Sequence, residues 1–141
     1  MRHSLLLLVF PLLMCSCSNK SEIKEIVYSY DMVREKHIEW NNLFSVNDND
    51  YFVYIYSNSC GHCNEIKKDV IEACLNGKLD LYFVAYTNDI PIIDDSESVI
   101  GKNEIDDMGI IGTPTLFHIN DFAITEQFIG AKSILYKLSI L

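Results

Sequence analysis

Two cysteines separated by a glycine and a histidine, Cys60-Gly61-His62-Cys63, are the residues of this chain best equipped for covalent chemistry. In disulfide exchange the thiolate attacks, so the first requirement is a device that ionises a thiol near neutrality. A helix beginning at this motif supplies one. Its first amides are unpaired and its dipole favours an anion, which lowers a thiol pKa from about 8.5 towards about 3.5–7.5. On that reading Cys60 is the nucleophile, and Cys63, within the first turn, is the resolving thiol that releases a bound substrate. His62 can favour the Cys60 thiolate by charge or hydrogen bonding, which makes the corresponding disulfide more oxidising. A solvated first-turn histidine is the plainer alternative. Cys60, His62 and Cys63 could also hold a soft metal, but structural zinc needs four ligands and no second Cys/His pair stands at suitable spacing, so no metal is expected.

The flanking residues predict the elements that must hold this motif. Residues 51–56 are an unbroken aromatic and β-branched run, as in a strand buried on both faces. After the motif, Ile66, Val70, Ala73 and Cys74 recur at helical spacing, with Asn76-Gly77 as the stop. Residues 79–86 read as a second buried strand. Residues 115–119 read as a third, turned at Asn120-Asp121 into a fourth over 122–129. A closing helix follows over 131–141, with Ile134, Leu135 and Leu138 for burial. Upstream, 22–28 alternates weakly like an edge strand. Asp31 is placed to cap a helix carrying Val33, His37, Trp40 and Phe44. A short helix is expected over 103–108, stopped by Gly109. The order β-α-β-α-β-β-α gives an α/β domain with a single mixed central sheet and helices on both faces.

The segments Tyr56-Ser57-Asn58-Ser59-Cys60-Gly61-His62-Cys63 and Gly112-Thr113-Pro114-Thr115 resemble the two signature segments of the thioredoxin superfamily. The resemblance in element order extends over residues 23–141 and implies the thioredoxin fold. It implies a cis peptide bond at Pro114 that sets Thr113 beside the dithiol, where its backbone can pair with an extended substrate. From the residues alone, a trans proline opening an edge strand is the plainer reading. The Gly61-His62 dipeptide is similar to that of protein disulfide isomerases. Two features depart from the family pattern. Tyr54 stands where many thioredoxins carry a buried acid serving the resolving thiol, and Ser59 replaces the tryptophan before the first cysteine. Glu65 is expected to be exposed and is not assigned as a base. Cys74 reads as a buried inert thiol, His37 and Trp40 as packing or surface residues, and His118 as a strand residue facing solvent. The apolar segment Ile90-Pro91-Ile92-Ile93 could border the active-site rim.

The ends of the chain carry a different signal. Arg2 followed by an apolar run over residues 5–13 is too short to span a bilayer but suits a secretory signal. The run ends in Met14-Cys15-Ser16-Cys17, which resembles a bacterial lipoprotein cleavage box, with Cys17 as the lipidated residue and Cys15 as a rival acceptor. Residues 1–16 are then a lipoprotein-type signal peptide, 17–22 a lipidated cysteine and tether, and 23–141 the thioredoxin-like domain. Acyl chains contribute roughly 0.8 kcal/mol per buried methylene, which would anchor the exported domain at the bacterial cell membrane. Of the five cysteines, Cys60, Cys63 and Cys74 remain for the domain, which is not a disulfide framework. With 11 basic and 20 acidic residues the net charge is −9, which argues against nucleic acid as a partner.

These readings converge on an extracytoplasmic, membrane-tethered thiol–disulfide oxidoreductase acting on exported cysteine-containing proteins or peptides. An oxidant or isomerase is favoured. No cofactor is expected because the dithiol stores the electrons, but a membrane or extracytoplasmic redox partner is required for turnover. The alternatives are an extracytoplasmic reductant and a non-enzymatic binding module for a secreted partner or thiophilic metal.

Overall fold

The computed structural model describes residues 25–95 and 97–141. The signal segment, the tether to residue 22 and the lipidation candidate Cys17 lie outside the described residues.

Four strands form one sheet in the order β2-β1-β3-β4. They are β1 (Asp50–Tyr56), β2 (Leu81–Ala85), β3 (Thr115–Asn120) and β4 (Ala123–Ile129), with helices α1 (Gly61–Leu75) and α2 (Gly130–Ser139). β1 runs parallel to β2 and antiparallel to β3, which pairs antiparallel with β4. The expected mixed α/β sheet is therefore present.

The aromatic run makes β1 central because both of its faces find apolar cover. Phe52, Tyr54 and Tyr56 point to one side, where α1, α2 and the N-terminal segment supply Ile66, Val70, Ile71, Ile134, Leu138 and Tyr30. Tyr51, Val53 and Ile55 point to the other, against Trp40, Leu43, Val99, Met108 and Ile110. This two-residue alternation is the strand period at work. Helical chain covers both faces unequally: both α-helices lie on the first face, and short 3-10 turns with irregular chain cover the second.

Three expected elements differ. The described residues 25–29 form no strand; Tyr28 instead packs its ring against the first core cluster. The helix expected from Asp31 onward is two 3-10 helices, Tyr30–Lys36 and Trp40–Asn42, and its cap is Ser29 rather than Asp31. The break falls at His37, whose backbone turns extended so that the Ile38 amide can donate to the Phe83 carbonyl at 2.9 Å. Pairing with β2 thus outweighs helical continuation. The helix expected over 103–108 is a single 3-10 turn, Ile105–Asp107.

At the β3–β4 turn Asp121 and Phe122 both adopt positive φ, 49° and 62°, the pattern of a two-residue hairpin turn. The strand consequently starts at Ala123, one residue later than expected. The chain touches each outer margin of the sheet at one point. His37 bridges Phe83 beyond β2, and beyond β4 the Gly101 amide donates to the Ile124 carbonyl while the Ile124 amide donates to Lys102.

Candidate active site

Strand β1 ends at Tyr56, and Ser57-Asn58-Ser59 turns the chain so that Cys60 becomes the N-cap of α1. The turn is held by the Cys60 amide donating to the Ser57 carbonyl at 3.2 Å and by the Ser57 and Ser59 hydroxyls, 2.9 Å apart. An N-cap residue has an acceptor aimed at the orphan amides of the first turn. Here the acceptor is a sulfur: Cys60 Sγ accepts from the Cys63 amide at 3.2 Å. Both cysteines are free thiols, Cys60 half-buried and Cys63 buried.

The second signature segment arrives from the opposite side. The Thr113–Pro114 peptide bond is cis, and the Thr113 carbonyl accepts from the Cys60 thiol at 3.3 Å. The Pro114 carbonyl accepts from the Gly130 amide at 2.8 Å, and the Thr115 hydroxyl donates to the Gly112 carbonyl at 2.7 Å. These bonds tie the loop to the start of both β3 and α2. The structure thus brings together Cys60, Cys63, Thr113 and Pro114.

Electrostatics separates the two thiols. Burial opposes ionisation of Cys60, but hydrogen bonds from the Cys63 and Thr113 side chains and from the Cys63 and His62 amides outweigh it and hold the pKa below the ordinary thiol value. Cys63 is pushed up to about 11, first by burial and then by its bond to Cys60. One thiol is therefore poised to ionise while its neighbour stays protonated.

His62 is brought to the site by its backbone rather than its ring. The imidazole is 72% exposed and pairs with Glu65 at 3.1 Å, one helical turn along. Its expected contact with the Cys60 sulfur is made by the His62 amide instead. Glu65 is exposed, as expected.

A cleft of about 370 Å³ opens beside Cys60, lined in part by Ser59, Tyr86, Ile92, Ile110 and Thr113. Ile92 is 58% exposed there, while Ile93 packs on the second core face. Of the apolar segment flagged in the sequence, Ile92 reaches the rim. Cys74 is half-buried and donates its thiol hydrogen to the Leu81 carbonyl at 3.7 Å, away from the dithiol. Among the described residues, no three His, Cys, Asp or Glu side chains converge as a metal site.

His118 is half-buried at the sheet surface rather than turned freely to solvent. Its ring stacks on Phe52 at 4.3 Å and is bracketed by Asp50 at 2.6 Å and Glu126 at 3.0 Å. A strand residue's periodicity gives its face but not its cross-strand partners, and here those partners are two carboxylates. Sequence reasoning also missed Tyr30, whose hydroxyl lies 3.4 Å from both the Tyr54 hydroxyl and the Cys63 carbonyl oxygen. Nothing local marks this tyrosine; only the fold brings it under α1.

No protein-family model matches the chain, and neither does any curated protein sequence. Solved structures do. A chain in the complex of ferredoxin:thioredoxin reductase with thioredoxin f2 superposes with a TM-score of 0.53 at 16% identity, covering 74% of this chain and 90% of that one. Thioredoxin from Aeropyrum pernix gives 0.49 at 20% identity over 73% and 81%, and spinach chloroplast thioredoxin f gives 0.48 at 12% over 84% and 98%. At such identities the likeness is one of fold, and the fold is that of thioredoxin.

Proposed function

We propose that this protein is a thiol–disulfide oxidoreductase. The observation that carries the reading is the free Cys60 thiol at the mouth of α1, bonded by the Cys63 amide and facing the Thr113 carbonyl. Cys60 attacks a substrate disulfide, or as the Cys60–Cys63 disulfide is attacked by a substrate thiolate. Either route passes through one mixed disulfide at Cys60, and Cys63 resolves it by forming the intramolecular bond as the substrate thiolate leaves. An extended substrate chain would lie along Thr113 and Pro114, with the neighbouring cleft taking the residues beside its cysteine.

The direction we propose is oxidation or isomerisation of exported cysteine-containing proteins, with the domain anchored outside the cell membrane through Cys17. The apolar run before Ser16-Cys17 supports export. The amides gathered on Cys60 support an oxidising couple, because whatever stabilises the reduced thiolate raises the potential. One observation favours the reductant reading instead: the His62 ring pairs with Glu65 rather than with the sulfur.

The test is turnover of a peptide mixed disulfide by wild type, Cys60→Ser and Cys63→Ser. Wild type should turn over, Cys60→Ser should not, and Cys63→Ser should trap the covalent adduct. Equal rates for wild type and Cys60→Ser would leave only a binding module. A reduction potential well above about −270 mV supports the oxidant or isomerase, and one at that value reverses the direction. Loss of membrane association in Cys17→Ala is the matching expectation for the anchor.

A further inference from the structure

Two openings flank the dithiol, and the parts of the motif divide between them. Cys60 lines the cleft that runs towards Thr113. His62 and Glu65 line a second one, a groove of about 490 Å³ between α1 and α2, with Ile66, Ile129 and Leu135 as apolar walls and Lys132 on the α2 side. The His62 ring therefore lies towards α2, while the Cys60 sulfur faces the cis-proline loop.

Glu65 is the group that holds the ring there. A carboxylate only accepts, so His62 Nδ1 donates to Glu65 Oε2, at 3.1 Å and one turn along the helix. Side chains on a helix lean towards its N-terminus. Glu65 thus leans back onto His62, and His62 without that partner leans back over the cap, which is Cys60. Both side chains are largely exposed, so the pair is a weak tie that biases the ring without locking it. The carboxylate acts in two ways. It draws the ring from the sulfur, and it offsets the imidazolium charge that would otherwise favour a thiolate. The His62 amide has no such freedom and stays on the Cys60 sulfur.

We propose that Glu65 is a positioning residue that holds the His62 imidazole off the Cys60 sulfur and so makes the dithiol less oxidising than Cys-Gly-His-Cys alone would be. The inference rests on the exchange chemistry proposed above and deepens it, because the redox poise is then set two residues beyond the motif. The equilibrium concerned is that of the Cys60–Cys63 disulfide with two glutathione thiols. The protein S–S bond takes two electrons and breaks, and the two glutathione sulfurs join as one disulfide. The two thiol protons pass to the protein sulfurs, the one at Cys60 going on to water where that thiol ionises. Whatever favours the Cys60 thiolate pulls this balance towards the dithiol. An imidazolium beside the sulfur does so; one paired with Glu65 does not. The charged and titratable groups around the ring are Glu65 on its own helix, Cys60 at the cap and Lys132 on α2.

The experiment equilibrates the full-length protein with glutathione buffers near neutral pH and reads the dithiol fraction by mass spectrometry after alkylation. The set is wild type, Glu65→Gln, His62→Gln and the double variant. Glu65→Gln should raise the equilibrium constant for dithiol formation by about threefold, or about 14 mV for a two-electron couple, the weight of one exposed ion pair. In the His62→Gln background the same substitution should change nothing, since no ring remains to be released. Iodoacetamide at mildly acidic pH should likewise alkylate Cys60 faster in Glu65→Gln than in wild type, and at equal rates in the two variants that lack His62. Neither shift is expected of a merely structural residue. An equilibrium constant and an alkylation rate both unchanged in Glu65→Gln overturn the inference. So does an equal rise in both backgrounds, because Glu65 would then act on the sulfur through its own charge. If wild type fails to equilibrate with glutathione at all, it is the exchange reading that fails, and the alkylation comparison alone decides the part played by Glu65.

Discussion

Three residues apart at the start of α1, two thiols are driven in opposite directions by the same short segment of backbone. Cys60 caps the helix, and the hydrogen bonds it collects overcome its partial burial. Cys63, one turn inside, loses its water and collects less. The consequence is separable reactivity. Iodoacetamide at neutral pH should modify one thiol quickly, at Cys60, while Cys63 reacts appreciably only towards pH 11; mass spectrometry of the alkylated protein reads this directly. A stability signature accompanies it. The folded state holds the Cys63 proton up to about 11, whereas the unfolded thiol releases it near 9.0, so the contribution from Cys63 is intact below 9.0 and is lost as pH rises between those values. Cys60 acts in reverse, adding stability to the reduced protein as pH climbs from its depressed value to 9.0. Chemical denaturation of the reduced protein across that range checks both signs. At this scale the sequence was informative about the pair, because Cys-x-x-Cys before an apolar helical pattern implies the cap. It was silent about Tyr30, whose place beneath α1 depends on a fold-wide approach.

Elements position these groups by pairing, and the loop that carries Ile92 is a case in point. Residues 91–93 run beside 109–110: the Ile110 amide donates to the Pro91 carbonyl at 2.9 Å and the Ile93 amide to the Ile110 carbonyl at 3.0 Å. Gly109 makes this approach possible. A Cβ there would press into the Ile93 side chain, well inside van der Waals contact, and meet the Pro91 carbonyl oxygen at 3.0 Å. Gly109→Ala should therefore cost about 1–3 kcal/mol, as an overpacked site does, and should raise KM for a peptide disulfide because Ile92 moves with its segment. Thermal unfolding and steady-state kinetics measure the two effects. In sequence, Gly109 reads only as a helix stop. The helix it was expected to stop shrinks to a 3-10 turn, and the residue's actual duty is steric. The segment 31–44 was misjudged for a related reason. Its apolar spacing is helical, yet 37–39 straightens because the β2 margin offers a backbone partner that local periodicity cannot register. By contrast β1, α1, β2 and the β3–β4 hairpin were legible, since each carries its own pattern of burial over a full element.

Across the whole molecule, a chain of side chains on one face joins elements distant in sequence. Asp50 on β1, His118 on β3, Glu126 on β4 and Lys137 on α2 stand in succession, with Lys137 donating to Glu126 at 2.7 Å. Lys137, through its hydrogen bond first and its charge second, holds the Glu126 carboxyl below the ordinary value of 4.5, with His118 adding to the same effect. A depressed carboxyl contributes stability above its unfolded pKa and loses it as pH falls through the folded one. The protein should accordingly weaken as pH drops from about 4.5, and Glu126→Gln should flatten that acid limb by modestly lowering the neutral-pH melting temperature while leaving the acid end unchanged; circular dichroism melts at stepped pH check this. The sheet these side chains staple is pinned at one point on each outer rim, by Ile38 against Phe83 and by residues 101–102 against Ile124. Unpaired rims are templates on which copies of a protein zip together. A second copy approaching either rim would meet an already satisfied backbone at Phe83 and at Ile124, so any added strand would have to register elsewhere along β2 or β4.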